Sequence, residues 1–380
     1  MKDYLGFEIG PIRPPSEAES LLVRVTRNCP WNKCEFCTIY KGERFSLRDK
    51  EHVINDINIV KDAIVVLSNK GYSFAEANDK LDEIREKAGE NGDFAISSAM
   101  TIYRMGVKSV FLQDADTMIA KPDDLVEIIK HIREVFPTVE RVTSYGRSST
   151  ISRISDKDMK RIAEAGLNRI HMGMESGSNK VLELINKGTT KEKHIAAGKK
   201  VVEVGMDLSV YYMPGLGGKE FSEENAIETA DAINMINPSY VRIRTLAVSE
   251  NSLLNEKYLD GTFTRTNDTD MVIELKMMIE NLEGIDSNIV SDHIINLIPE
   301  VNGKMPKDKN KMIDAIDWYL NLSDEDKIIY RIGRRTGIMY DSEAFNSEAL
   351  KNKIIGIMRK EGIDKNNIDY VTDNLINRYI

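Results

Sequence analysis

All three cysteines of this 380-residue chain fall within nine residues, Cys29-Pro-Trp-Asn-Lys-Cys34-Glu-Phe-Cys37. Thiols used only for packing would be scattered through a core, because a buried cysteine behaves as a small hydrophobe. Confinement to one polar loop points instead to convergence on a single object. Three thiolates suit a metal ion or an iron–sulfur cluster, and they leave one coordination position for a ligand that is not cysteine. Zinc completed by a histidine such as His52 is the competing assignment. Zinc sites favour cysteines paired at two-residue spacing, and only Cys34 and Cys37 are so paired.

Other residue types with chemical potential lie downstream. Asp114 and Asp116 (Gln113-Asp-Ala-Asp116) follow an apolar run, where they serve either as ligand-facing acids or as turn and cap residues. Glu175 ends the apolar run Ile170–Met174, and a carboxylate there needs a partner. Arg242 and Arg244 alternate on one strand face, placed to hold an anion or to pair with acids. His293 is a candidate substrate-facing residue, and Gly333-Arg-Arg335 a candidate phosphate contact. Met172, Met174 and Met213 read as packing for the core or a cofactor.

The elements that must position these residues alternate in type. Residues 1–20 form an irregular leader broken by Pro11, Pro14 and Pro15. Leu21–Thr26 is a strand that runs directly into the cysteine loop. Helices follow after Asp49, at 74–87 and at 94–105. From there strands at 108–112, 139–144, 168–174, 207–213 and 240–246 are separated by helical periodicities. Strand–helix alternation repeated in this way implies a parallel sheet with right-handed crossovers, α/β in class, with its strand-to-helix loops gathered on one rim. The expected architecture is a partial (β/α)6 TIM-like barrel over 21–250, followed by a helical extension over 251–380.

The cysteine loop after a first strand, with Phe36 just before the last cysteine, resembles the cluster loop of the radical S-adenosylmethionine (SAM) enzymes. The stretch from Asn168 through Gly173-Met-Glu-Ser-Gly to Ile185-Asn-Lys-Gly-Thr-Thr190 is similar to the fourth strand and following helix of its methylthiotransferase and anaerobic coproporphyrinogen-oxidase branch. The first cysteine gap is four residues here, where that family's usual pattern has three. The resemblance implies one [4Fe–4S] cluster on Cys29, Cys34 and Cys37, and a SAM site drawn from Phe36, Asp114, Asp116, Ser144, Arg147, Glu175 and Met213. In that scheme Glu175 meets the ribose, and Met213-Pro-Gly-Leu-Gly-Gly218 passes the adenine. Asp114 and Asp116 stand where the family carries a Gly-Gly-Glu type motif. The implied activity is reductive cleavage of SAM to a 5′-deoxyadenosyl radical that takes hydrogen from an organic substrate. It would be fed by a donor such as reduced flavodoxin or ferredoxin. A non-catalytic electron-transfer or structural zinc protein is the alternative. With no cysteine outside the loop, there is no ligand set for a second cysteine-bound cluster.

Composition narrows the partners. A net charge of −9 and a pI near 5.4 disfavour a general nucleic-acid surface, which needs a basic face. Hydrophobic residues at 41% and charged residues at 30% describe a soluble globular chain. The longest aliphatic runs, such as Ala63–Leu67, are far too short to span a bilayer, and no apolar leader precedes Pro11. The odd cysteine count argues against a secreted disulfide framework, so a cytoplasmic location is expected.

Overall fold

Parallel strands alternate with helices through most of the chain, in a computed structural model that describes residues 4–379. The main strands are β1 (Leu21–Arg24), β2 (Ser109–Gln113), β3 (Arg141–Gly146), β4 (Arg169–Glu175), β5 (Asp207–Tyr212), β6 (Tyr240–Ile243), β7 (Asn288–Val290) and β8 (Gly303–Lys304). Contacts divide the chain into two compact units. One comprises the chain up to Asn32 with Ile39–Met172 and Glu203–Asp207. The other comprises Lys33–Thr38, Gly173–Val202 and the chain from Leu208 onward.

In the first unit β1, β2, β3 and the start of β4 pair in that order, all parallel, with Leu21 opposite Val110, Ser109 opposite Arg141 and Thr143 opposite Arg169. These strands are apolar because helices cover them. Val110, Phe111, Leu112 and Val142 are fully buried. The helix Lys50–Ser68 starts where the Asp49 carboxylate accepts the Glu51 N–H, and it buries Val53, Ile57 and Val60 at helical spacing. Ser73 and Glu76 form a reciprocal capping box at the head of Phe74–Ala88. Ser155 caps Asp156–Ala165, and Gly166 ends it in the left-handed conformation at φ 110°. A short hairpin, Thr26–Arg27 with Ser46–Leu47, brackets the cysteine loop.

In the second unit β5 and β6 are parallel, Ser209 opposite Tyr240, and β6 continues in parallel to β7, Val241 opposite Ile289. β8 closes onto β7 antiparallel. Residues 251–380 therefore contribute two strands besides their helices. The reading of this stretch as helical did not include them, because three residues of Asn288–Val290 are too few to show an alternation. The helix Leu253–Leu259 is a further addition. Among the described residues no helix is long and apolar enough to cross a membrane.

Candidate active site

The first half of the cysteine loop is built on left-handed asparagines. Asn28 and Asn32 have φ of 65° and 48°, a region that asparagine tolerates better than most side chains. The Asn32 N–H donates to Cys29 Sγ at 3.4 Å, and its side-chain amide donates to the Tyr40 carbonyl at 2.5 Å. Lys41 Nζ donates to the Asn32 carbonyl at 3.0 Å.

Asp114 secures this half from below. It is fully buried at the end of β2, and donors from the chain itself occupy its oxygens. Tyr40 Oη donates to Oδ1 at 2.6 Å, while Arg24 Nη2 and the Asn28 N–H reach Oδ2 at 2.9 and 3.4 Å. One carboxylate thus ties residues on both sides of the loop, and the Tyr40 hydroxyl is held firmly protonated by burial and by this acid. Asp116 is equally buried. It accepts the Arg147 N–H at 3.0 Å and the Thr150 hydroxyl at 2.5 Å, and burial pushes its pKa up to about 6. Ser144 is buried with its hydroxyl on the Tyr145 carbonyl, and the Arg147 guanidinium lies 5.4 Å from the Trp31 ring centre. Cys29, Asp114, Asp116, Ser144 and Arg147 all belong to this first unit.

The second unit holds Cys34, Phe36, Cys37, Glu175 and Met213. Here Glu35 anchors the loop. Its N–H donates to the Ile185 carbonyl at 2.9 Å, its carbonyl accepts from Leu254 at 3.0 Å, and its carboxylate pairs with Lys257 at 2.6 Å. Phe36 packs on a core of Val181, Ile185, Met213, Leu246, Leu254 and Phe263. Lys187 Nζ stands 5.7 Å from the centre of the Phe36 ring and 3.0 Å from Glu175 Oε1. Glu175 itself has a φ of 66°, and its carbonyl accepts the Met213 N–H at 2.9 Å. Lys187, Glu35 and Lys257 were not singled out from sequence. A carboxylate closing an apolar run did signal a partner, but nothing marked which one.

The Met213–Gly218 turn is held by a buried acid, Glu274. Its Oε1 accepts from the Tyr212 hydroxyl, the Asn225 amide and the Gly215 N–H at 2.8, 2.7 and 3.1 Å, and its Oε2 from the Ser222 hydroxyl at 2.6 Å. Gly215 has a φ of 88°, and a Cβ there would meet Met271 Sδ at 2.7 Å, so both conformation and space require glycine. Burial pushes the Glu274 pKa up to about 7, with Ser222 and Tyr212 pulling it back. Because the folded value lies above the ordinary 4.5, the folded state binds the extra proton between the two. Stability from this group is fully present below pH 4.5 and is lost as pH rises through about 7. Urea unfolding at pH 5 and pH 8 is expected to show this loss. Glu274→Gln should flatten it, since the Ser222 hydroxyl can turn to accept from the new amide.

Arg334 and Arg335 are buried and donate within the chain. Arg334 donates to the carbonyls of Leu297, Asn296 and Met339, and Arg335 to the Ile295 carbonyl and Asp268. His52 packs edge-on against the Tyr4 ring, 5.5 Å between centres.

The donor chemistry of the loop fits an iron–sulfur cluster. None of the three cysteines is in a disulfide, Cys34 is buried, and a backbone N–H already points at Cys29 Sγ. Among the described residues, however, no three His, Cys, Asp or Glu side chains are gathered to hold a metal ion.

A sequence model of the radical SAM superfamily matches residues 23–230, more than half of the chain. The chain belongs to the radical SAM superfamily. Like its homologues in that superfamily it is an enzyme. This radical SAM protein is 24% identical over 188 residues to an uncharacterized methyltransferase of Pyrococcus horikoshii, covering 49% of this chain and 30% of the relative. It is 26% identical over 190 residues to the tRNA-2-methylthio-N(6)-dimethylallyladenosine synthase of Christiangramia forsetii, covering 49% and 34%. The matches thus span about a third of those curated relatives. Among solved structures, coproporphyrinogen III oxidase of Escherichia coli aligns with a TM-score of 0.46 and 15% identity, over 69% of this chain and 51% of that one. Methylornithine synthase aligns at 0.42 and 15%, over 87% and 85%.

Proposed function

We propose that the protein cleaves SAM reductively and uses the resulting 5′-deoxyadenosyl radical to take hydrogen from an organic substrate. The observation that carries this reading is the superfamily match over residues 23–230, which takes in all three cysteines of the loop, none of them in a disulfide. Cys29, Cys34 and Cys37 would hold one [4Fe–4S] cluster. When bound, it supplies the electron for cleavage, drawn from a reductant such as flavodoxin or ferredoxin.

The chain's own residues divide the remaining work. Glu35, fixed by Ile185, Leu254 and Lys257, sets where Cys34 and Cys37 can reach. Asp114, through Tyr40, Arg24 and Asn28, does the same for Cys29. In this reading Asp114 is a positioning residue, since its oxygens are already filled. Glu175 with Lys187 is the better candidate for the ribose hydroxyls: its Oε1 pairs with Lys187, and a carboxylate has acceptor capacity beyond one such contact. The backbone of 213–218 would pass the adenine, while the space beside its glycines is taken by Met271, Phe221 and Thr264. Phe36 and Met213 belong to the apolar wall beside it, and Asp116, Ser144 and Arg147 to the corresponding polar strand ends.

The test is anaerobic reconstitution with iron and sulfide, reduction by dithionite, and chromatography of the products formed from SAM. The expected products are 5′-deoxyadenosine and methionine. A protein that takes up one zinc and no labile sulfide, or that reconstitutes fully and leaves SAM intact, overturns the proposal.

A further inference from the structure

The carboxyl ends of β4 and β6 and the segment after β7 carry a set of charged groups, all within the second unit: Glu175, Arg242, Arg244, Asp292 and His293. Four of the five have a place in the chain's own hydrogen bonding. Glu175 pairs with Lys187 at 3.0 Å, and Arg242 donates to Ser209 Oγ at 3.1 Å while pairing with Asp292 at 2.5 Å. His293 Nδ1 accepts the Ile295 N–H at 3.4 Å, which leaves the ring proton on Nε2.

Arg244 is the exception. Its backbone N–H is fixed to the Tyr212 carbonyl at 2.9 Å, and the next residue, Thr245, is fixed to Asn296 Oδ1 at 3.0 Å. Its guanidinium, half-buried, has no acidic partner and no hydrogen-bond acceptor among the described residues. The two carboxylates at this end of the sheet are already matched by Lys187 and Arg242, so Arg244 is a surplus positive charge. Arg242, Asp292, Arg244 and Glu175 all act electrostatically on the buried Tyr211 hydroxyl, and Arg244 acts on His293, which burial and that charge keep neutral, with a pKa of about 4. The loop bearing His293 cannot drift away. Asn296 donates to the Ile243 carbonyl and to Ser291 Oγ at 2.8 and 3.0 Å, locking the loop to the end of β6.

We propose that Arg244 binds an anionic group of the substrate, a carboxylate or a phosphate, with His293 Nε2–H as a second donor. An unpaired guanidinium fork matches either anion in two-pronged geometry, and the carboxyl ends of parallel strands are where such sheets bind ligands. The inference rests on the radical SAM reading for its assignment to substrate, while the anion site itself does not.

Calorimetric titration of the full chain, without cluster or SAM, tests it with inorganic phosphate in one arm and succinate in the other. Saturable binding of at least one anion is expected. Arg244→Gln should weaken it about tenfold to a hundredfold, the value of a charge-assisted pair, and Arg244→Lys should restore part of it. The arm that responds identifies the anion. Wild-type protein that binds neither anion below about 10 mM overturns the proposal, as does Arg244→Gln protein that binds as tightly as wild type. Repeating the titration on reconstituted protein with SAM present separates two sources of carboxylate. Retained binding assigns Arg244 to the substrate, whereas competition by SAM assigns it to the cofactor's own carboxylate and overturns the substrate claim. Failure of SAM cleavage in the earlier assay leaves the anion result standing, so the two ideas fall separately.

Discussion

Alanine at any one of Cys29, Cys34 or Cys37 is expected to remove the visible absorbance of the reconstituted protein and to reduce 5′-deoxyadenosine formation below detection. The effect should be near total, because the chain has only three cysteines and no fourth can substitute for one that is lost. The fold should survive. Among the described residues Cys29 Sγ accepts one long hydrogen bond, from Asn32, and the loop's attachments run through Asn28, Asn32, Glu35 and Tyr40. Far-UV circular dichroism and the urea midpoint are therefore the controls, and they should stay near wild type. Absorbance or SAM cleavage that persists in Cys34→Ala would mean that the loop is not the ligand source.

Asp268→Ala should be the most damaging substitution away from the cysteines. The carboxylate is buried between two guanidinium groups, Arg331 Nε at 3.0 Å and Arg335 Nη2 on its other oxygen. Burial works to raise its pKa, but Arg335 and Arg331 outweigh it and hold the acid below the usual carboxylate range. Deleting one partner of a buried ion pair leaves uncompensated charge at a cost of about 3–5 kcal/mol. The urea midpoint should fall accordingly. Asp369→Ala is the contrast. That acid is mostly exposed and pairs with Arg331 from the solvent side, where such pairs contribute about 1 kcal/mol or less. The pH dependence has the opposite sign from that of Glu274. A depressed folded pKa means that the stability from Asp268 is present above 3.8 and is lost as pH falls through the lower folded value.

Much of the architecture was legible because parallel strands covered by helices must be apolar throughout. Runs such as Lys108–Leu112 and Asn168–Met174 announced themselves, and the strands observed at Ser109–Gln113 and Arg169–Glu175 differ only at their ends. Helix starts were legible where Ser or Asp caps stood before an amphipathic run, as at Asp49, Ser73 and Ser155. What could not be read was partnership across distance. Nothing local to Asp114 indicates that Tyr40 and Arg24, 74 and 90 residues away, occupy its oxygens. Likewise, Arg334 and Arg335 looked like an anion site until the carbonyls of a separate segment were seen to take up their donors. The cysteine loop shows the same division. Its three thiols stand out in the sequence, while Lys257 and Leu254, which hold Glu35, lie more than 200 residues downstream.

The pairing of β7 with β6 makes the last third of the chain hard to dispense with. A chain cut at residue 250 would strip one side of β6 of its hydrogen-bonded neighbour and leave a bare edge ready to recruit other molecules. It would also take away Leu254 and Lys257, setting the cysteine-bearing segment adrift from two of its moorings. Such a fragment should be recovered as aggregate rather than as a smaller working catalyst.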